Sequence, residues 1–185
     1  MSKVNIRRPT LEDTGDMHRF FRFMITDTFR KEGAGECLED IEQEIAGKVQ
    51  ALQSDLASNG VARTFFIALV QGQLIGTIEY GPASSLINEC TKGALQHQVE
   101  VGSVFVHPDY QGRGIGSLMW NVVLVALLSH GIEEFCLDSG YAAAQKIWKV
   151  KFGEPDYIMQ NYWGAGQDHW IWTRQTRDMK LLFKA

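Results

Sequence analysis

The chain predicts a mixed α/β fold in a single domain, and three observations carry that expectation. β-rich runs alternate with runs of helical apolar spacing in the order strand, two helices, three strands, helix, strand, helix, two strands. Neither an internal repeat nor a linker-like stretch interrupts the pattern. The length of 185 residues suits one domain that buries its own core, and the 45% apolar and 22% charged content is that of an ordinary globular protein.

The opening VNIRRPT reads as a short strand ending at a turn, with Thr10 and Asp13 as a capping box for the next helix. Met17, Phe20, Phe21 and Met24 give that helix an apolar face, with Phe29 near its end. Past Gly33 to Gly35, Leu38, Ile41, Ile45, Val49, Leu52 and Leu56 mark a longer helix, whose Glu39, Asp40, Glu42 and Glu44 read as a solvated face. TFFIALV and LIGTIEY flank Gln71-Gly72-Gln73 as a hairpin. Residues 82–98 read as a polar loop with a short helical turn. VEVGSVFV is apolar on both parities, as a central strand is, with Glu100 as its charged exception. A helix from Ile115 to Ser129, apolar almost all round, is expected to pack on the sheet. EEFCLDS reads as another buried strand and Ala142 to Phe152 as another helix. YIMQNYW and DHWIWTRQ read as two aromatic terminal strands joined through Gly164 to Gly166.

A formal charge of -4 and scattered basic residues argue against nucleic-acid binding and favour a small or cationic partner. Three cysteines without a CxxC pair suggest neither a disulfide framework nor a zinc knuckle, and the five histidines show no ligand spacing, so no metal is expected. No apolar run reaches the ~18 residues of a membrane span, and the N-terminus lacks a signal-like core, so a soluble cytoplasmic protein is expected.

The stretch VFVHPDYQGRGIGSLMW places three glycines in five residues between a strand and a helix. A helix start offers four backbone N–H groups without intrahelical partners, at the positive end of the helix dipole. Gly112, Gly114 and Gly116 remove the side chains that would hold an anion away, and Arg113 adds positive charge. The loop therefore suits a diphosphate. It lacks the lysine of a mononucleotide P-loop, its GxGxG spacing differs from the dinucleotide fingerprint, and no kinase motif accompanies it.

Gln111, Gly114 and Gly116, preceded by Val106 and Pro108, resemble the R/Q-x-x-G-x-G/A loop after a V-x-P strand end in the GNAT superfamily of N-acetyltransferases. The strand and helix order is similar over nearly the whole chain, including the two helices after the first strand. The resemblance implies a mixed, mostly antiparallel sheet splayed at strands four and five and flanked by helices. Acetyl-CoA is implied as co-substrate, its pantetheine arm pairing with the backbone of Val104, Phe105 and Val106. Gln111, Gly112, Arg113, Gly114, Ile115, Gly116 and Ser117 are then expected at the pyrophosphate.

Transfer to an amine needs a base for the ammonium proton and a donor for the developing oxyanion. Glu100 matches the position where many relatives carry a glutamate, and burial on its strand would raise its pKa. His97 is a second possible base, and His107 is expected to position the loop. The relatives' N-x-x-A-x-x-x-Y helix, whose tyrosine protonates the leaving thiolate, reads here as Tyr141, Ala144 and Trp148. An indole N–H donates a hydrogen bond without releasing its proton, so Trp148 is expected to pack on the coenzyme or donate to its sulfur, with Tyr141 or Tyr162 supplying the proton. Asp138 is expected to orient the amine, and Cys136 to be a packed apolar thiol. One of Trp170 and Trp172 is expected in the core, with Trp163 exposed beside Gly164. The acceptor expected is a small cationic or aromatic amine or a peptide amine, and the assembly a homodimer. An acyl-CoA-binding module without catalysis is the alternative that Trp148 keeps open.

Overall fold

The computed structural model describes residues 3–181. Its elements are β1 (Val4–Arg7), α1 (Thr14–Lys31), α2 (Leu38–Ser58), β2 (Thr64–Val70), β3 (Gln73–Pro82), α3 (Ser85–Cys90), β4 (Val99–Val106), α4 (Ile115–Ser129), β5 (Glu134–Ser139), α5 (Ala142–Phe152), β6 (Tyr157–Met159) and β7 (His169–Gln175). The seven strands form a sheet in the order β1-β2-β3-β4-β5-β7-β6. β4 and β5 run parallel, whereas β1 with β2, β2 with β3, β5 with β7 and β6 with β7 are antiparallel.

The backbone divides into two compact units, one built mainly from the residues up to Tyr80 with Ser103–Val123, the other from Gly81–Gly102 with Leu124–Lys180. In the first, the apolar faces of α1 and α2 meet the hairpin: Phe20, Phe21, Met24, Ile41, Ile45 and Leu52 share a buried cluster with Phe65, Ile67 and Leu74. Helical spacing on one side and strand alternation on the other thus build one core. The hairpin turns through Gln71 and Gly72, both left-handed at φ 51° and 82°, the primed geometry that matches strand twist. The acidic face of α2 is solvated, and Glu42 on it pairs with Arg22 of α1.

Thr10 and Asp13 do form a capping box, on a 3₁₀ turn over Leu11–Asp13 that leads into α1. Arg7 grips the Asp13 carboxylate with two nitrogens at 2.7 and 2.8 Å, and the Thr10 N–H donates to it at 2.7 Å. The Arg7 hydrogen bonds foremost bring the Asp13 pKa down to about 2 from 3.8, against the opposing effect of burial. A depressed carboxylate pKa stabilises the fold above its unfolded value and loses that contribution as pH falls through the folded one. Asp13→Asn should therefore lower stability at neutral pH by about 1 kcal/mol, a figure discounted for the exposed side of the arginine. It should also flatten the decline of the urea midpoint between about pH 4 and pH 2.

In the second unit, β5 lies between β4 and β7. Its parallel ladder joins Val99 to Phe135 and Glu100 to Cys136, whereas β7 pairs with all of it, from Glu134–Gln175 to Ser139–Trp170. Ile87, Leu95, Cys136 and Ile171 form a second apolar cluster. Burial, with lesser contributions from the charges of Glu100 and Asp138, pushes the Cys136 thiol far up, so it is the packed, unreactive residue expected. Trp172 is fully buried and its indole donates to the Gly153 carbonyl at 2.9 Å, while Trp163 stands 51% exposed.

Two expectations need correction. The strand read over YIMQNYW ends at Met159. Asn161 takes a left-handed φ of 54°, its side chain accepts from the Gly166 N–H and its own N–H donates to Asp168, so local hydrogen bonds replace a strand ladder. Helix α4 is also less covered than its composition suggests: Leu118, Val125 and Leu128 remain exposed, while Met119, Trp120, Val123, Leu124 and Leu127 are buried.

Candidate active site

The glycine stretch forms a turn of unusual backbone. After β4, His107 begins a 3₁₀ turn over Pro108–Tyr110, Gln111 is extended, and Gly112 and Gly114 have φ of 73° and 82°. That region is open to glycine and strained for branched residues. Gln111 Nε2 donates to the Val106 carbonyl at 2.9 Å, tying the loop back to the strand end. The first helical bond of α4 runs from Leu118 N to Gly114 O, so the N–H groups of Ile115, Gly116 and Ser117 have no acceptor inside the helix. A Cβ on Gly112 would meet nothing within 4 Å. Arg113 is exposed, with its guanidinium 5.3 Å from the Tyr110 ring centroid. His107 stacks on Phe23 at 5.0 Å and accepts from the Asp109 N–H through Nδ1.

Val104, Phe105 and Val106 are half-buried at the end of β4. Just before them Ser103 has φ 49°, a left-handed non-glycine residue inside a strand. Such a residue costs about 1–3 kcal/mol and persists only where its surroundings enforce it. Here β3 does so: the Ser103 hydroxyl donates to Glu79, the Thr77 hydroxyl donates to the Ser103 carbonyl at 2.8 Å, and Arg63 pairs with Glu79 at 2.7 Å. The backbone is thereby bent where the coenzyme-pairing segment was expected. Sequence reading missed this device, although two polar residues, Thr77 and Glu79, in an otherwise apolar strand were its available sign.

The second unit gathers the expected acid–base residues around β5. Glu100 sits opposite Cys136 in the ladder, and the charges of both Glu100 and Asp138 reach that thiol. Glu100 is half-buried rather than sealed, and its Oε2 accepts from the Ser84 N–H at 2.6 Å. Tyr141 is the N-cap of α5, and its N–H donates to the Ser139 hydroxyl at 3.1 Å. Gln145 holds the end of β5 to the β6–β7 loop, donating to the carbonyls of Ser139 at 3.0 Å and Asp168 at 2.8 Å. Trp148 is buried, stacked on Phe152 at 5.5 Å with Lys151 5.7 Å from its ring centroid. Burial brings that lysine down to about 8. Tyr162 lies above the ordinary tyrosine range, through desolvation first and then through Cys90 and Glu89. His97 is exposed on its loop. Asp138 lies beside His169, which sequence reading weighed only as a metal ligand. Among the described residues no group of three or more His, Cys, Asp or Glu is placed to hold a metal ion, and no helix is long and apolar enough to cross a membrane.

A sheet with one parallel pair at its centre, followed by a glycine turn at a helix mouth, defines the class as an acyl-CoA N-acyltransferase fold. The chain belongs to the acetyltransferase (GNAT) family, whose profile matches residues 24–153. Solved structures agree in fold. PaiA N-acetyltransferase from Thermoplasma acidophilum, in complex with coenzyme A, has a TM-score of 0.68 at 16% identity, covering 94% of this chain and 99% of its own. An N-acetyltransferase from Staphylococcus aureus Mu50 gives 0.66 at 18%, covering 95% and 99%. Ribosomal-protein-alanine N-acetyltransferase from Brucella melitensis gives 0.66 at 18%, covering 92% and 99%. No curated protein sequence shows significant similarity to the chain.

Proposed function

We propose that this protein moves the acetyl group of acetyl-CoA to an amine by direct attack, as one acetyltransferase domain over residues 1–185. The observation that carries the reading is the left-handed Gly112 and Gly114 at the mouth of α4, a backbone suited to a doubly phosphorylated linker. Gln111 to Ser117 hold the pyrophosphate, and Val104 to Val106 pair with the pantetheine arm. Glu100 takes the ammonium proton, directly or through water. The amine nitrogen attacks the thioester carbonyl, the C–S bond breaks, Tyr141 gives its proton to the thiolate, and the tyrosinate takes the second proton that the nitrogen sheds as the amide forms. Asp138 orients the amine, and Trp148 forms part of the coenzyme wall through its stack with Phe152. The acceptor is a small cationic or aromatic amine or a peptide amine.

Acetyl-CoA should bind in calorimetry and raise the thermal midpoint, and a diverse amine panel should yield free thiol. Absence of any binding overturns the reading. Binding without thiol release from any amine favours the alternative, an acyl-CoA-binding module, for which Trp148 at the family's tyrosine position is the specific support. A cytoplasmic setting fits the three free thiols of Cys37, Cys90 and Cys136. The exposed Val125 and Leu128 of α4 and Ile147 and Val150 of α5 support a homodimer, which light scattering tests.

A further inference from the structure

His169, at the start of β7, is 2% exposed, yet both its ring nitrogens face polar partners. The Trp163 indole N–H donates to its Nδ1 at 3.2 Å. An indole only donates, so Nδ1 must be the bare nitrogen and the proton must sit on Nε2. That Nε2 lies 3.0 Å from Oδ2 of Asp138 but does not meet hydrogen-bond geometry there, which leaves a buried donor without a well-aligned acceptor. Such a group is costly unless a partner draws it into line.

The surroundings suit a cation. Asp138 keeps a fifth of its side chain exposed. Trp163 and Tyr162 are each about half exposed, their rings 4.9 Å apart at 77°, and both rings lie 5.7 Å from that of His169. Exposed aromatic faces beside a carboxylate are the chemistry that recognises an alkylammonium. Gly140 permits the arrangement: a Cβ there would collide with the Trp163 indole nitrogen.

We propose that His169, its tautomer fixed by Trp163, is a positioning residue that holds the Asp138 carboxylate as the anchor for the ammonium of a cationic acceptor. This deepens the acetyltransfer reading, on which its biological meaning rests, by narrowing the acceptor to the cationic class and naming two residues that select it. An ammonium seated on Oδ1 turns the carboxylate so that Oδ2 accepts from the His169 Nε2–H, while the rings of Tyr162 and Trp163 cover the alkyl stem.

The test is a titration of the full chain with n-butylammonium at neutral pH, followed on the backbone amide resonances of Ser139 and Gly140, with n-butanol as the neutral control. The cation should shift both resonances and the alcohol neither. His169→Gln, whose amide still donates toward Asp138, should bind within about threefold of the parent protein. His169→Leu should bind at least about tenfold more weakly, the scale of one hydrogen bond to a charged group. Trp163→Phe keeps an aromatic face but removes the donor that fixes the tautomer, so it should weaken binding too, and it carries the test if the leucine variant does not fold. Equal binding by the parent and Trp163→Phe, unchanged affinity in His169→Leu, or an equal response to the alcohol would each overturn the proposal. The two readings separate cleanly. Cation binding with these dependences in a protein that releases no thiol upholds this inference and ends the acetyltransfer reading; thiol release without any response to butylammonium does the reverse.

Discussion

Gly114→Val is expected to weaken coenzyme A binding on the order of a hundredfold. The native φ of 82° lies in a region that a β-branched residue enters only at a cost of about 1–3 kcal/mol, so the free loop should relax out of it and the coenzyme must drive it back, which at the upper end of that range is about two decades of affinity. The added side chain would also stand beside the N–H groups of the first turn of α4, where an anion approaches. Calorimetry with coenzyme A reads the effect, and a urea titration separates it from global unfolding. Gly116→Ala is the internal control: its Cβ would meet only Val106 Cγ2 at an ordinary 3.7 Å, so a much smaller loss is expected. If valine at 114 leaves affinity intact, the pyrophosphate is not held by this turn.

Glu100→Gln is expected to lower kcat by about a hundredfold, within the range of general-base contributions, while leaving coenzyme affinity unchanged. The side-chain geometry makes the substitution clean. Glutamine retains a carbonyl oxygen to accept from the Ser84 N–H, so the local hydrogen bond survives, but it cannot take a proton. The acid limb of the pH–rate profile should flatten with the loss of the titrating carboxylate. An unaltered profile would move the role to another group.

The parts of this protein that were readable in its sequence are those that local chemistry decides. The glycine turn was legible because a left-handed backbone at a helix mouth needs glycine whatever lies around it, and the helix faces because a period of 3.6 marks one buried side. Cys136 was legible as packed because buried thiols are common and no histidine stands beside it in sequence. What escaped depends on partners far away in the chain. Ser103 is left-handed because Thr77 and Glu79 hold it so, and nothing in Gly102-Ser103 itself announces that. His169 gains its meaning from Asp138 and Trp163, which reach it from another strand and from a loop. The end of β6 was misplaced because Asn161 uses its side chain to satisfy a turn, whereas its aromatic neighbours have strand propensity.

The bend in β4 has a consequence for the conditions under which the protein keeps its shape. Arg63 and Glu79, which brace it, are 17% and 3% exposed, whereas Arg22 and Glu42 on the helices are each 58% exposed. Dissolved ions weaken the second pair and scarcely reach the first. The curvature of that strand should thus persist from dilute buffer to concentrated electrolyte, even as the surface charges fall silent.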